Sequence, residues 1–394
     1  MSHQPSIAIL VETSTSWGAQ IVRGIADYSH RIGPWRFYLE PRGRYEQLCL
    51  PTGWQGDGVI ARVTTQPLAD DICATGLPAV NVSWYEYGYP QIARCTADEH
   101  QCGIIAAQHF LDRGLQHFAY CGPSRRRTGY TDRFGKSFVD ALAEAGFRCG
   151  VYHPLARRGR ADDWQRRLAH LSQWLAGLPK PCGVLTFDDV RGRQVTEACH
   201  YAGIHVPDEV AVLGGESDDL MSAVSNPPLS SIDHAARRVG HEAAALLDRM
   251  MRGESIGPQP KLIPPIGIIS RPSTDILTID DEFLAEAIRF IRDHAHEGIQ
   301  VAEVLVHVPL SRRVLEQRFA DVLGRSPAAE IRRVRLERAK RMLVDTDLSM
   351  PQVAASCGFN QAEVFTRTFG REIGQTPTAY RRQNRMGGER TTND

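Results

Sequence analysis

Two groups of residues have the types and spacing for recognition chemistry. The first lies near the C-terminus: Ser311, Arg312, Arg313 and Gln317, then Asn360, Gln361, Glu363, Thr366 and Arg367. Arg can grip guanine O6 and N7, Gln or Asn can pair with adenine, and Glu can accept from cytosine N4. Arg381 and Arg382 suit phosphate contacts. The second group follows short apolar runs: Trp17, Asp98, Arg133, Asp188 and Glu216. Carboxylates accept from vicinal hydroxyls, an Arg fork donates two hydrogen bonds, and an aromatic face covers the apolar side of a ring, which together describe a sugar site.

Simpler roles compete. Asp and Ser favour helix N-caps, a role open to Asp98 and Asp189. An enzyme would need carboxylates facing each other across a bond, whereas adjacent ones such as Asp188 and Asp189 diverge. The chain shows no Gly-rich phosphate loop, nucleophile elbow or metal motif, so no catalytic residue, metal or cofactor is expected.

The elements that must position the second group alternate. Short apolar runs at Ile7–Val11, Gly58–Ala61, Ala79–Val82, His117–Cys121, Gly183–Phe187 and Val210–Leu213 read as strands. Helical periodicity fills Ala19–Ile32, Gln101–Arg113, Arg133–Ala145, Asp162–Ala176 and Arg191–Ala202. This order predicts two α/β halves with parallel sheets and a cleft at the carboxyl ends of the strands. From Met251 to Asp281, prolines and glycines exclude a long helix, although Ile263–Ile269 is compatible with a strand.

The first group sits in a helical segment. The phrase F-x4-G-x-[ST]-P occurs at Phe319–Pro327 and again at Phe369–Pro377. Helices are expected over Asp280–His296 and Val301–Val306, from a cap at Ser311, over Pro327–Val344 and Pro351–Ser356, from Gln361 (capped by Asn360) to Ile373, and from Pro377. Two helix–turn–helix units in tandem point to a DNA reader, each placing the start of its second helix in a major groove. The long helix would hold both on one face, with grooves recurring every ~34 Å.

Net charge is zero overall, but Leu310–Arg390 carries 16 Arg or Lys against 9 Asp or Glu. A local basic excess is the footprint of a phosphate-binding surface; a solvated helical face would look the same by charge alone. Nine cysteines without a CxxC pair, and no secretory leader, predict reduced thiols in a cytoplasm. Ile7–Val11 is far too short to span a membrane.

Several stretches resemble known families. "TADEHQCGIIAAQHFLDRGLQHFAYCG", "TFDD", "VLGGESDD" and "NPPLSSI" resemble LacI-type regulators and periplasmic sugar-binding proteins. The resemblance places Asp98, Arg133, Asp188 and Glu216 on ligand-contacting positions. Asp188 stands where Asn is common and Glu216 where Asp is common, which bears on which hydroxyl is read. No LacI-type DNA-binding headpiece is expected, since the first strand begins near Ile7. "VAASCGFNQAEVFTRTFGREIGQTPTAYR" resembles the AraC/XylS signature at Ala354, Gly358, Phe359, Phe365, Arg367, Phe369, Arg371, Gly374, Thr376, Pro377, Tyr380 and Arg381. Gln361, Glu363, Val364 and Gly370 depart from it, the first two on the base-reading edge.

The expectation is therefore a two-lobed α/β periplasmic-binding-protein-like sensor over 1–272, a linker at 273–280, an all-α domain with two helix–turn–helix units over 281–386, and a disordered tail at 387–394. The resemblance implies a homodimer, a pentose inducer, operator or promoter DNA, and RNA polymerase as partner if the chain activates. A repressor, or a sensor of another small ligand, would share this architecture.

Overall fold

The structure is a computed structural model, and it describes residues 4–43, 46–87, 89, 91–123, 130–154, 164–276 and 281–384. The expected linker falls partly, and the expected tail wholly, outside the described residues. The chain forms two compact units, Met1–Ala107 with His117–Asp275, and Gln108–Gln116 with Ile276–Arg385.

The first unit has two lobes. One opens with β1 (Ser6–Leu10), α1 (Ser16–Ile32), β2 (Arg36–Leu39), β3 (Gly58–Ala61), α2 (Gln66–Ala74), β4 (Ala79–Asn81) and β5 (Ile92–Ala97). After α3 (Glu99–Leu111), the other holds β6 (His117–Cys121), α4 (Arg133–Glu144), β7 (Cys149–Tyr152), α5 (Trp164–Ala176), β8 (Cys182–Thr186), α6 (Asp189–Tyr201), β9 (Val210–Gly214), α7 (Asp219–Ala223) and β10 (Ser230–Asp233). The chain then returns to the first lobe for α8 (Ala236–Met251) and β11 (Lys261–Ile263), and ends the unit in the second with β12 (Gly267–Ile269).

The sheets run β11-β5-β4-β3-β1-β2 and β12-β10-β9-β8-β6-β7. Every pairing is parallel except β10 with β12. Central strands such as β3, β8 and β9 are buried at every position, because helices cover both faces of each sheet. In the first lobe α1 lies so close to α8 that a Cβ at Gly24 would meet the Arg237 carbonyl at 1.9 Å, and one at Gly240 the Ile21 carbonyl at 2.1 Å. Between lobes the chain crosses three times, at β5–α3, β10–α8 and β11–β12. The stretch Ile263–Ile269 thus holds the last residue of β11 and the whole of β12, in different sheets.

The second unit is helical: α9 (Glu282–His294), α10 (Val301–His307), α11 (Arg312–Leu323), α12 (Pro327–Asp345), α13 (Met350–Ser356), α14 (Ala362–Ile373) and α15 (Pro377–Asn384). It has two small cores. Phe319 packs with Leu284, Ile288, Ile291, Val304 and Leu315 in one. Phe369 packs with Leu336, Leu343, Val353, Phe365 and Tyr380 in the other.

The repeated phrase now has a physical content. Its Phe anchors a core. Its Gly adopts the left-handed conformation that stops a helix, with φ of 65° at Gly324 and 79° at Gly374. Its Ser or Thr caps the next helix: Ser326 Oγ accepts from Ala329 N at 3.3 Å, and Thr376 Oγ1 from Ala379 N at 3.2 Å. Its Pro occupies the first turn, where no amide donor is needed. Behind the first copy, Glu330 is buried and accepts from Arg325 at 2.6 Å and Arg333 at 2.7 Å. Burial pushes the Glu330 carboxyl up, but the two guanidinium groups outweigh it and hold it at about 2.

Candidate functional site

The interlobe cleft is built from strand ends. After β1, Thr15 caps α1 by accepting from Gly18 N at 3.0 Å and so fixes Trp17 in the first turn. The guanidinium of Arg62, just past β3, lies 5.2 Å from the Trp17 ring centre and pairs with Glu12 at 3.0 Å. Glu12 is buried, and its Oε2 has no hydrogen-bond partner among the described residues. Asp98, at the first crossing, accepts from Gln101 N at 3.1 Å and thereby holds the start of α3. Its carboxylate has the capping contact anticipated as the alternative to ligand contact.

Across the cleft, Arg133 opens α4 and is exposed. It pairs at 2.6 Å with Glu86, from the loop after β4, which also takes Arg94 at 2.8 Å. Asp188 is buried after β8 and caps α6 through Arg191 N at 2.7 Å. Asp189 has a different task. It is fully buried and accepts from Glu216 N at 3.0 Å and Asp218 N at 2.9 Å, so it braces the loop that carries Glu216. Burial pushes the Asp189 carboxyl well up, against the pull of those two amides. Ser16 of α1 closes one side of the cleft: its Oγ donates to Asp218 at 3.4 Å and accepts from Asp219 N at 3.2 Å.

The five sequence-chosen residues therefore sit at strand ends or crossings, Trp17 on the first lobe, Arg133, Asp188 and Glu216 on the second, and Asp98 between them. Sequence reasoning passed over Arg62 and an aromatic cluster. Trp84, after β4, lies 5.2 Å from His234, 6.0 Å from Phe187 and 6.4 Å from Phe134. Tyr130 lies 5.6 Å from Phe187 and 5.3 Å from Tyr85. Its hydroxyl donates to Glu99 at 2.9 Å. Burial pushes the Glu99 carboxyl up to about 8, with the Tyr130 bond opposing. The available signal was the aromatic run Trp84-Tyr85-Glu86-Tyr87 directly after a strand.

In the helical unit the DNA-reading candidates share exposed faces. Ser311 caps α11, accepting from Val314 N at 3.4 Å. Arg312, Arg313 and Gln317 are exposed, and Arg312 pairs with Glu316 at 3.0 Å. On α14, Glu363, Thr366 and Arg367 face solvent while Phe365, Thr368 and Phe369 face the core. Asn360 and Gln361 are exposed ahead of it. The N-cap is Gln361, not Asn360, and it makes no side-chain cap bond. Arg381 is half-buried and donates from Nε to the Leu343 carbonyl at 3.3 Å, tying α15 to α12. Arg335, which the sequence did not single out, is buried and donates to the Ala295 and Ile299 carbonyls at 2.8 and 2.6 Å.

Comparison with known proteins agrees with this two-part design. Residues 107–274 match the model of a periplasmic binding protein-like domain, and 306–383 that of a helix-turn-helix domain. The xylose operon regulatory protein of Escherichia coli K12 is 30% identical over 385 residues, 96% of this chain and 97% of that protein. The chain belongs to the xylose operon regulatory protein family. The Haemophilus influenzae member is 29% identical over 95% of this chain and 97% of its own length. A solved structure of the xylose-binding transcription activator xylR superposes with a TM-score of 0.62 at 29% identity, covering 98% of this chain and 99% of that one. The AraC-type and periplasmic-binding-type resemblances thus hold within one chain. It is a DNA-binding transcription regulator with a two-lobed sensor, not an enzyme.

Proposed function

We propose that this regulator binds a pentose of the xylose type in the interlobe cleft and activates genes for its catabolism. What supports the reading is the set of groups at the lobe junction: Trp17 with its Glu12–Arg62 pair on one lobe, and Arg133, Asp188 and Glu216 at strand and helix ends of the other. Carboxylates, a guanidinium and an aromatic face are the groups a polyhydroxylated ring requires. The names of the full-length relatives support the choice of sugar and of activation.

The base-reading residues are Ser311, Arg312, Arg313 and Gln317 in the first helix–turn–helix and Asn360, Gln361, Glu363, Thr366 and Arg367 in the second. Arg381, tied to Leu343, is assigned to phosphate. The regulator acts in the cytoplasm as a homodimer that recruits RNA polymerase. Among the described residues no helix is long and apolar enough to cross a membrane. Sugar changes DNA binding only through different affinities for the open and closed lobes.

Calorimetry of the full chain with D-xylose, L-arabinose, D-ribose and D-glucose tests the sensor. Saturable binding of a pentose is expected, and no binding of any of them at millimolar concentration sinks the reading. A reporter that rises with the bound sugar and with the regulator present supports activation. One that the regulator holds down until sugar is added identifies a repressor.

A further inference from the structure

The two helix–turn–helix units leave a cavity of about 410 Å³ between them. Its walls are one face of α12, the start of α10, the turn before α14 and one face of α14. Asn360 and Gln361, already assigned to bases, are exposed and belong to its lining, so it opens on the reading edge of the unit. Val364 and Thr368 continue that lining along α14, at the spacing that keeps them on one face with Gln361.

The charges around the cavity are one-sided. Arg332 and Arg335 of α12 both line it, and no Asp or Glu does. Arg335 is 6% exposed and donates to the Ala295 and Ile299 carbonyls, so no carboxylate among the described residues offsets its charge. Its guanidinium also lies 5.6 Å from the Phe359 ring centre, which holds it in place. A positive charge fixed in this way raises the potential of the cavity and favours an anion there. Arg332 is half-buried and pairs with Glu372 at 4.0 Å, the outer limit of an ion pair. Glu372 has a closer partner in Arg371 at 2.6 Å, so Arg332 can turn to another anion without stranding a carboxylate.

The geometry of the duplex says which anion. Two successive major grooves on one face of B-DNA are centred ~34 Å apart. Between them a sugar–phosphate strand must cross the middle of any protein that reads both. In this unit the middle is α12 and the cavity beside it. Resting on the reading that both helix–turn–helix units engage one duplex, we propose that the cavity seats the operator backbone between the two major grooves, with Arg332 gripping a phosphate and Arg335 as a fixed charge behind it. Such a contact sets the register of the two reading helices and carries no sequence information of its own.

The test is a salt series of binding isotherms with the full chain, wild type, Arg332→Gln and Arg332→Lys. The probes are the duplex that the wild type selects from a random library and a scrambled duplex of equal length. Arg332→Gln should weaken both duplexes alike, about fivefold at physiological salt, and reduce the salt slope by about one. Arg332→Lys should keep the wild-type slope, and both variants should melt as the wild type does. Replacing single phosphates of the selected duplex by neutral methylphosphonates then locates the contact. One phosphate between the two protected major grooves should matter to the wild type and no longer to Arg332→Gln. A wild-type salt slope in Arg332→Gln overturns the proposal, as does a coupled phosphate outside the stretch between the grooves. A wild-type footprint confined to one major groove instead removes the two-unit reading, and this proposal with it.

Discussion

Asp188 and Asp189 are adjacent in the chain, yet one caps α6 and the other holds two amides of the Glu216 loop. Asp189 thus braces the loop that carries Glu216 and Asp218. Asp189→Ala leaves the Glu216 and Asp218 amides unpaired, and a stability loss of about 1–3 kcal/mol is expected by urea denaturation. Sugar affinity should fall as well. Glu99 supplies a pH signature. Its folded carboxyl is pushed up to about 8 by burial, above its ordinary 4.5. The stability linked to its proton is complete below the ordinary value and is lost as pH rises through about 8. Melting temperature should therefore decline between pH 5 and 8, and Glu99→Gln should flatten that decline; an equal slope in the variant refutes the assignment. Residue types at strand ends made Asp98, Arg133, Asp188 and Glu216 visible in the sequence. Arg62 and Trp84 lie just past β3 and β4, and the rings they meet, Trp17 and Phe134, are distant in the chain, so no local pattern marks them.

Among the elements, legibility followed burial. Central strands such as β8 and β9 are continuous apolar runs and could be read directly. The edge strand β2, Arg-Phe-Tyr-Leu, is largely exposed, and β10, Ser-Ser-Ile-Asp, is mostly polar in type, so neither shows a strand pattern. The helical unit was legible because its repeated phrase encodes anchor, stop, cap and first turn in order. The α14 cap was misplaced by one residue because Asn is a better capping type than Gln, and the structure uses the Gln361 backbone without its side chain. Glu330→Ala removes the buried carboxylate shared by Arg325 and Arg333, which keep Asp112 as a partner at 2.9 and 3.7 Å, and should cost about 1–3 kcal/mol in thermal or urea unfolding. With the wild type, stability from Glu330 is present above its ordinary 4.5 and is lost as pH falls toward about 2. On the exposed face of α14, Arg367→Ala should weaken operator binding by about 1–3 kcal/mol and relax specificity at one base pair. Arg382→Ala should instead weaken all sequences alike and reduce the salt slope by about one; equal behaviour of the two variants contradicts the assignment of base and phosphate roles.

For the whole molecule, a two-lobed cleft and two DNA-reading units in one chain make sense only if occupancy of the first alters the second. Ligand and operator must then be linked reciprocally, each changing the other's affinity by the same factor. Coupling of about 1–3 kcal/mol, or roughly 5–150-fold, is typical of such systems. The measurement that tests this most directly is the operator-binding isotherm of the full chain with and without saturating D-xylose, for the wild type and for Glu216→Ala. The account predicts a shift in operator affinity of about fivefold or more with sugar. It also predicts loss of that shift in Glu216→Ala while sugar-free operator binding stays intact. Wild-type operator affinity that is the same with and without bound D-xylose would contradict it.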